Sequence, residues 1–141
     1  MGNLIELTTE QQLIDVFPIM NQLRIDLSLQ EFLTLFSQMK KEAYQLFGWQ
    51  MNDKIVGLAG VAFRTNLYNG RHLYIYDLIT DEKERSKGYG DALLLALHSL
   101  AKENGAKYVA LESGLQRIDA HRFYEEKMCY DKWCYSYRKE L

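Results

Sequence analysis

Several features that would identify a protein class are scarce in this chain. Its 141 residues include two cysteines and one proline, and its formal net charge is −2. The spacing of Cys129 and Cys134 is neither a disulfide framework nor a metal motif. The near-neutral charge gives no bulk attraction to nucleic acid. No apolar run is long enough to cross a membrane, and no signal peptide is expected at the first residues.

What remains is the composition of an ordinary globular domain. The chain is 48% hydrophobic and 26% charged, and it has no internal repeat, low-complexity segment or linker. This length is typical of one domain, and a chain of this size can bury a core. We therefore predict a single domain over residues 1–141, located in the cytoplasm and carrying free thiols.

Helical signals dominate the first 44 residues, after a short initial strand. Thr8 with Gln11, and Ser28 with Glu31, form two capping-box patterns. In such a pattern, a hydroxyl and the side chain three residues later satisfy backbone amides at the start of a helix. The sequence thus predicts two consecutive helices, the first of which contains Pro18.

The next part of the chain has the pattern of antiparallel strands. Two turn signals, Asn52-Asp53 and Asn69-Gly70, separate segments that are rich in apolar and aromatic residues. Three antiparallel strands in a row are expected. They cover residues 45–51, then 54–64 with 67–68, and finally 73–80.

Helices and strands alternate in the rest of the chain. A helix from Gly90 to Asn104 is followed by a strand over 107–112, a helix over 117–127 and an alternating strand over 133–138. The predicted order is β-α-α-β-β-β-α-β-α-β. It indicates an α/β (α+β) fold with a mixed, mostly antiparallel central sheet and helices on both faces. The strands before and after the Gly90 helix should be parallel, joined by a right-handed crossover.

A glycine-bearing turn, Arg85-Ser86-Lys87-Gly88-Tyr89-Gly90, joins a buried strand to this long helix. The first amides of a helix have no internal partner, and the helix dipole favours an anion there. Glycines let the backbone approach phosphate oxygens closely. The junction is therefore a candidate phosphate site, although a plain tight turn would have a similar pattern.

Two common phosphate loops do not match. The Walker loop requires Gly-x-x-x-x-Gly-Lys-Ser/Thr, which is absent from the sequence. The dinucleotide fingerprint requires a third glycine where this chain has Leu93.

Two motifs resemble those of the GNAT family of N-acetyltransferases. Arg85-x-x-Gly88-x-Gly90 is similar to the family's acyl-CoA-binding signature, Gln/Arg-x-x-Gly-x-Gly/Ala. The segment 119–126 is similar to its second signature, in the helix before the last strands. The predicted order of elements also matches the family from end to end. One departure is Cys129, which occupies a position where the family usually has a glycine in a left-handed turn.

The resemblance implies that acetyl-CoA is the acetyl donor. Amides of the glycine turn would bind its pyrophosphate, with Arg85 holding the loop or contacting phosphate. The pantetheine arm would pair with the strand before the turn, where the Leu78 amide would polarise the thioester carbonyl. The expected donor-binding residues are Leu78, Thr80, Arg85, Lys87, Gly88, Gly90 and Asp91.

The resemblance also implies that Tyr124 protonates the departing CoA thiolate; the alternative is an aromatic residue that packs in the core. Many relatives have a glutamate as the base where this chain has Tyr76 and Asp77. Asp77 and Glu112 flank the predicted donor site and are the candidate bases. Asp77 is favoured because it lies on the strand that enters the glycine turn. An ordinary salt bridge would explain either residue as well.

These features together predict transfer of an acetyl group from acetyl-CoA to a primary amine by direct attack in a ternary complex. A small-molecule amine is the first expectation for the acceptor, and a protein lysine or N-terminus the second. No metal, nucleic acid or membrane is expected as a partner. Two alternatives remain: an acyl-CoA sensor without turnover, and a homodimer formed through the predicted last strand.

Overall fold

The computed structural model describes residues 2–141. Its strands are β1 (Gly2–Glu6), β2 (Gln45–Met51), β3 (Lys54–Asn66), β4 (Gly70–Thr80) and β5 (Tyr108–Leu111). Its helices are α1 (Glu10–Leu23), α2 (Leu29–Lys40), α3 (Tyr89–Glu103) and α4 (Ile118–Arg122). A 3-10 turn over Glu82–Glu84 precedes α3, and a π-helical turn over Phe123–Lys127 continues α4.

The chain divides into two compact units, one ending at Ala110 and the other covering Leu111–Leu141. The first contains both capped helices, the glycine turn and most of the sheet. The second contains α4 and the π-helical turn. The single domain over residues 1–141 stays a prediction.

The five strands form one sheet in the order β1-β2-β3-β4-β5. The pairs β1–β2, β2–β3 and β3–β4 are antiparallel. The predicted α/β fold class, with a mostly antiparallel sheet, is confirmed.

Capping boxes begin both of the first two helices. Ser28 and Glu31 form one at α2, as predicted. At α1 the pair is Thr9 with Gln12, one residue later than predicted. The sequence Thr8-Thr9-Glu10-Gln11-Gln12 offers the pattern in two registers, and the side chain of Gln12 accepts from the amides of both threonines. Such a cap stabilises a helix by about 1 kcal/mol.

Helices pack on both faces of the sheet. Leu58 of β3 belongs to a buried cluster with Val16 of α1 and Phe36 of α2. At the preceding position of β3, a Cβ on Gly57 would lie 3.3 Å from the side chain of Leu93 in α3. Neighbouring residues of a strand point to opposite faces. Helices α1 and α2 therefore cover one face, and α3 covers the other.

The first hairpin turn agrees with prediction, and the second is longer than predicted. Met51 pairs with Lys54 across a turn in which Asn52 has a φ of 56°. In the second hairpin, Asn66 pairs with Gly70. Leu67 and Tyr68 are exposed turn residues, so the prediction that they extend a strand is wrong.

The predicted last strand over 133–138 is also wrong, because the described residues 129–141 contain neither helix nor strand. Trp133, Tyr135 and Tyr137 alternate as a strand face would, yet they are 60%, 74% and 90% exposed. Alternation supplies an apolar face, but a strand also needs a neighbour for its backbone groups.

A close approach at Gly60 ties β3 to the segment before β2. A Cβ at this position would overlap the hydroxyl of Tyr44, and it would lie 2.6 Å from a carboxylate oxygen of Asp77. Gly60 is therefore required by space, since no side chain can be accommodated beside that hydroxyl.

We expect Gly60→Ala to destabilise the protein by about 1–3 kcal/mol, because an extra carbon in a packed interior forces its neighbours to move. The measurement is the free energy of unfolding in urea. The matched control is Gly114→Ala, where the Cβ would meet only the side chain of Gln116 in an exposed loop. The cost should be smaller when Tyr44→Phe is also present, and an equal cost in both backgrounds would contradict this explanation.

Candidate active site

The glycine turn leaves open space at the start of α3. Gly88 is the N-cap residue and has a left-handed φ of 82°. Apart from residues adjacent in the chain, no atom lies within 4 Å of the position that its Cβ would occupy. Ser86, two residues earlier, also has a positive φ, of 65°. The turn thus bends twice through the left-handed region, and a ligand can approach the backbone at Gly88.

The start of α3 has the geometry of an anion site. The first intrahelical bond runs from the amide of Ala92 to the carbonyl of Gly88, over 3.1 Å. Amides that precede this bond have no acceptor within the helix. Gly90 lies in this first turn, where its Cβ would be 3.4 Å from Oγ1 of Thr80. Asp91 is the third helical residue and adds one negative charge.

The two cationic side chains of the turn contact the turn itself. Nε of Arg85 donates to the carbonyl of Thr80 at 3.4 Å. Nζ of Lys87 donates to the carboxylate of Glu84 at 3.2 Å. Arg85 therefore links the turn to the end of β4, which is one of the two roles expected from the sequence.

The second half of β4 extends beyond its shorter neighbour. β5 has four residues and spans about 13 Å, whereas the eleven residues of β4 span about 36 Å. The amide of Lys107, just before β5, donates to the carbonyl of Arg71 near the start of β4. β5 therefore pairs along the first part of β4. Leu78 and Thr80 lie past it, and on their other side they pair with Ala59 and Gly57 of β3.

A β-bulge precedes this segment. Gly60 is opposite Asp77 and Val61 is opposite Ile75, so Tyr76 is an extra residue in β4. Bulges redirect side chains and are frequent next to active sites.

Asp77 is engaged on both carboxylate oxygens. Oδ1 accepts from Nε and Nη2 of Arg24, at 3.0 and 2.8 Å. Oδ2 accepts from the hydroxyl of Tyr44 at 2.6 Å. Burial, together with the negative charge of Asp77, raises the pKa of Tyr44 well above its usual value, so this hydroxyl keeps its proton. Sequence analysis missed Arg24 and Tyr44, because no local pattern connects them to a residue 53 or 33 positions away.

A second polar contact links α1 to the end of β4. Nε2 of Gln22 donates to Oδ1 of Asp81 at 3.1 Å, and its Oε1 accepts from the amide of Glu82 at 2.9 Å. Burial alone would raise the pKa of Asp81. Hydrogen bonds from Gln22 and the Lys83 amide, with the charges of Lys83 and Lys54, outweigh it and lower that pKa. Asp81 is therefore an ionised anchor at the entrance to the glycine turn.

Tyr124 belongs to the second unit and lies in the π-helical turn. It is 8% exposed, and its ring contacts those of Phe123 and Tyr130. Burial raises the pKa of Tyr124 above the usual tyrosine value, and the positive charge of Arg117 offsets part of the rise. Tyr124 therefore carries its proton at neutral pH, as a proton donor must.

The helix predicted over 117–127 begins as an α-helix and ends as a π-helical turn. Residues 118–122 are α-helical, but the amide of Met128 donates five residues back, to the carbonyl of Phe123. The amide of Tyr130 then reaches the carbonyl of Tyr124 at 2.8 Å. Between them, Cys129 has a φ of 59°, so it adopts the left-handed conformation that glycine would favour there. This turn closes directly on the backbone of Tyr124.

Glu112 also belongs to the second unit, where it is exposed just after β5. Among residues 2–141, no three His, Cys, Asp or Glu side chains are grouped closely enough to hold a metal ion. Within the same residues, no helix combines the length and apolar character needed to cross a bilayer.

Comparisons with known proteins identify the family. The model of the acetyltransferase (GNAT) family matches residues 11–129. A curated protein of Bacillus subtilis (strain 168), the uncharacterized N-acetyltransferase YhdJ, is 40% identical over 137 residues, which are 96% of each chain.

Solved structures share the fold. A possible acetyltransferase from Clostridium difficile 630 has a TM-score of 0.82 at 16% identity, covering 99% of this chain and 97% of its own. An aminoglycoside N-acetyltransferase in complex with CoA has a TM-score of 0.81 at 13% identity, covering 100% and 96%. With the family match and the 40% identical relative, these findings show that the chain belongs to the GNAT family and is an acetyl-CoA-dependent acetyltransferase.

Proposed function

We propose that this acetyltransferase moves the acetyl group from acetyl-CoA to a primary amine of a small molecule, by direct attack in a ternary complex. The observation that carries the donor half is the strand–turn–helix segment from Leu78 to Asp91. It combines a strand end beyond its shorter neighbour with an open left-handed glycine at a helix start.

In this proposal the glycine turn binds the pyrophosphate. The amides of Lys87, Gly88, Gly90 and Asp91 surround the phosphate oxygens, and the α3 dipole adds a favourable potential. The open space beside Gly88 admits the ligand to the backbone. Arg85 keeps the turn in place through the carbonyl of Thr80.

The pantetheine arm lies along β4 past the end of β5, where it adds to the sheet as a short strand. Backbone groups of Leu78 and Thr80 hold it. The amide of Leu78 polarises the thioester carbonyl and stabilises the oxyanion that forms when the amine attacks.

Tyr124 gives its proton to the departing CoA thiolate. Its phenol keeps the proton at neutral pH because burial raises its pKa. Direct attack balances without a covalent enzyme intermediate: the C–N bond forms, the C–S bond breaks, the amine loses a proton and the thiolate gains one.

The proton of the amine leaves by one of three routes: to Asp77, to Glu112, or to ordered water. The hydrogen bonds from Arg24 and Tyr44 occupy the oxygens of Asp77 and count against its acting as the base. Glu112 is exposed just after β5 and stays a candidate.

A row of tyrosines on β4 supports a small cationic acceptor. The rings of Tyr74 and Tyr76 lie 4.9 Å apart, and the guanidinium of Arg64 sits 4.7 Å from the ring of Tyr74. Aromatic faces attract cations, as Arg64 does over Tyr74, so an amine substrate with further positive charges, such as a polyamine or an aminoglycoside-like molecule, would make the same kind of contact along β4. A protein amine is the second expectation, and a homodimer stays a prediction that sedimentation would test.

Acetyl-CoA should stabilise the protein by about 2.7 kcal/mol when present at about 100 times its dissociation constant. Gly88→Val and Gly90→Val should abolish that shift in melting temperature, because a branched side chain blocks the approach of phosphate.

The control for Gly88 is Gly105→Val, at the other end of α3. Gly105 is also left-handed, with a φ of 75° and nothing within 4 Å of its Cβ position. It suffers the same backbone strain but should retain the acetyl-CoA shift. Full binding by both the Gly88 and Gly90 variants would place the phosphates elsewhere.

Tyr124→Phe should lower kcat by about 10²–10⁴-fold while acetyl-CoA affinity is preserved, because only the proton donor is lost. Since burial raises the pKa of Tyr124, its alkaline limb in the pH–rate profile should lie above about pH 10, where an ordinary tyrosine ionises. Tyr130→Phe is the matched control, because its ring contacts Tyr124 within the same unit. Equal rates for the wild type and Tyr124→Phe, with chemistry limiting, would remove this residue from the mechanism.

Asp77→Asn and Glu112→Gln separate the candidate bases. Loss of the true base should lower kcat and remove the acidic limb of the pH–rate profile, and Glu112→Gln should leave acetyl-CoA affinity unchanged. We expect Asp77→Asn to lower stability as well, because it breaks the ion pair with Arg24. If both variants keep the acidic limb, the amine loses its proton to water.

A further inference from the structure

Two polar side chains at the end of α1 hold the chain on either side of the last three residues of β4. Arg24 contacts Tyr76 and Asp77, while Gln22 contacts Asp81 and Glu82. Between these contacts lie only Leu78, Ile79 and Thr80.

We propose that Gln22 and Arg24, the anchor pair, are positioning residues for acetyl transfer that fix the backbone of Leu78–Thr80 against the thioester. This inference rests on the proposed donor site along that segment. It assigns to α1 a role in donor alignment that neither family motif contains.

The contacts of Arg24, before Leu78, are directional. Nη2 of Arg24 donates to the carbonyl of Tyr76 and to Oδ1 of Asp77, each at 2.8 Å, and Nε donates to Oδ1 as well. One guanidinium therefore fixes both the backbone and the side chain at the bulge. A lysine has no planar fork and could not reproduce this arrangement.

The contacts of Gln22, after Thr80, use both the nitrogen and the oxygen of its side-chain amide. Gln22 donates to Asp81 and accepts from the Glu82 amide, while Asp81 also accepts from the Lys83 amide at 3.2 Å. This arrangement fixes the exit of β4 into the glycine turn.

The segment has a paired strand on one side only. On that side it pairs with β3 just past the bulge, where the register changes. On the other side, β5 pairs only along the earlier part of β4. A displacement of about 1 Å at a reacting group can cost 10²-fold in rate.

The end of α1 is a firm base for both contacts. Leu13, Val16, Ile19 and Met20 bury one face of α1. The amide group of Asn21 donates to the carbonyls of Arg24 and Leu27, at 2.8 and 3.0 Å, and so fixes the chain just after the helix. Docking of α1 thus depends on apolar burial, and the anchor pair can be changed without removing that burial.

The test compares two ligands that share their phosphates. Acetyl-CoA contains the pantetheine arm, whereas 3′-phosphoadenosine 5′-diphosphate lacks it and probes the glycine turn alone. The variants are Arg24→Lys and Gln22→Leu, and calorimetric titration gives both dissociation constants. Gln11→Leu is the control, since Gln11 lies on the same helix and bonds only to exposed Asp15.

We expect acetyl-CoA affinity to fall about tenfold in Arg24→Lys, which corresponds to about one hydrogen bond. The affinity for the nucleotide fragment should change less than twofold. Gln22→Leu should weaken acetyl-CoA binding to a similar extent, and Gln11→Leu should bind both ligands as the wild type does. Arg24→Lys changes an exposed side chain, so it keeps the test decisive if Gln22→Leu fails to fold.

Two results would overturn the proposal. In the first, the variants melt at lower temperature but bind acetyl-CoA as the wild type does, which indicates a purely structural role. In the second, both ligands lose affinity equally. A wild type that binds acetyl-CoA no more tightly than the fragment would overturn the proposed donor site itself, whatever the variants do.

Discussion

The hydrogen bond between the Tyr44 hydroxyl and Asp77 exists only because residue 60 has no side chain. The tyrosine reaches over β3 at Gly60 and meets a carboxylate on β4. Asp77 lies at the bulge, and its Oδ1 accepts from Arg24, the residue that directly follows α1. One glycine thus allows helix, loop and two strands to meet at a single point. That meeting holds the bulge end of the segment that carries Leu78 and Thr80.

Aromatic packing extends this point into the core. The rings of Phe36, Tyr44, Tyr76 and Tyr74 follow one another at centroid distances of 5.9, 5.6 and 4.9 Å. Edge-to-face contacts of this kind add about 0.5–1.5 kcal/mol each beyond the burial of their area. The row connects the interior of α2 to the surface of β4. Tyr76 is one of the two residues that the family resemblance places at the position of a catalytic glutamate, and it is a member of this packed row.

The sequence predicted those parts of the fold that depend on local patterns. The strands at 45–51 and 54–66 and the cap at Ser28 are encoded by neighbouring residues, and each was predicted to within two residues. The family motifs located the glycine turn and Tyr124. The contacts of Arg24 and Gln22 could not be predicted, because single polar residues more than 50 positions apart leave no pattern. The prediction of the last strand was wrong for the opposite reason: residues 133–138 have the local pattern, yet they form no strand.

Cys129 shows how one substitution changes a turn without removing it. A residue with a side chain in the left-handed region is strained by roughly 1 kcal/mol or more. The turn still forms after the π-helical residues, since the Tyr130 amide reaches the Tyr124 carbonyl. Such widened turns are frequent at functional sites. The carbonyl that this turn holds belongs to the same residue whose hydroxyl is the proposed acid.

The pairing of β1 with β2 has a consequence for how the chain folds. β2, β3 and β4 follow one another through short hairpins, so their contacts are local and form quickly. β1 must wait for β2 across both helices, because its residue Glu6 pairs with Phe47. Closing so long a loop carries a larger entropic penalty than closing a hairpin. The three-strand meander and the two capped helices should therefore assemble first, with the amino-terminal strand joining the sheet as a late event.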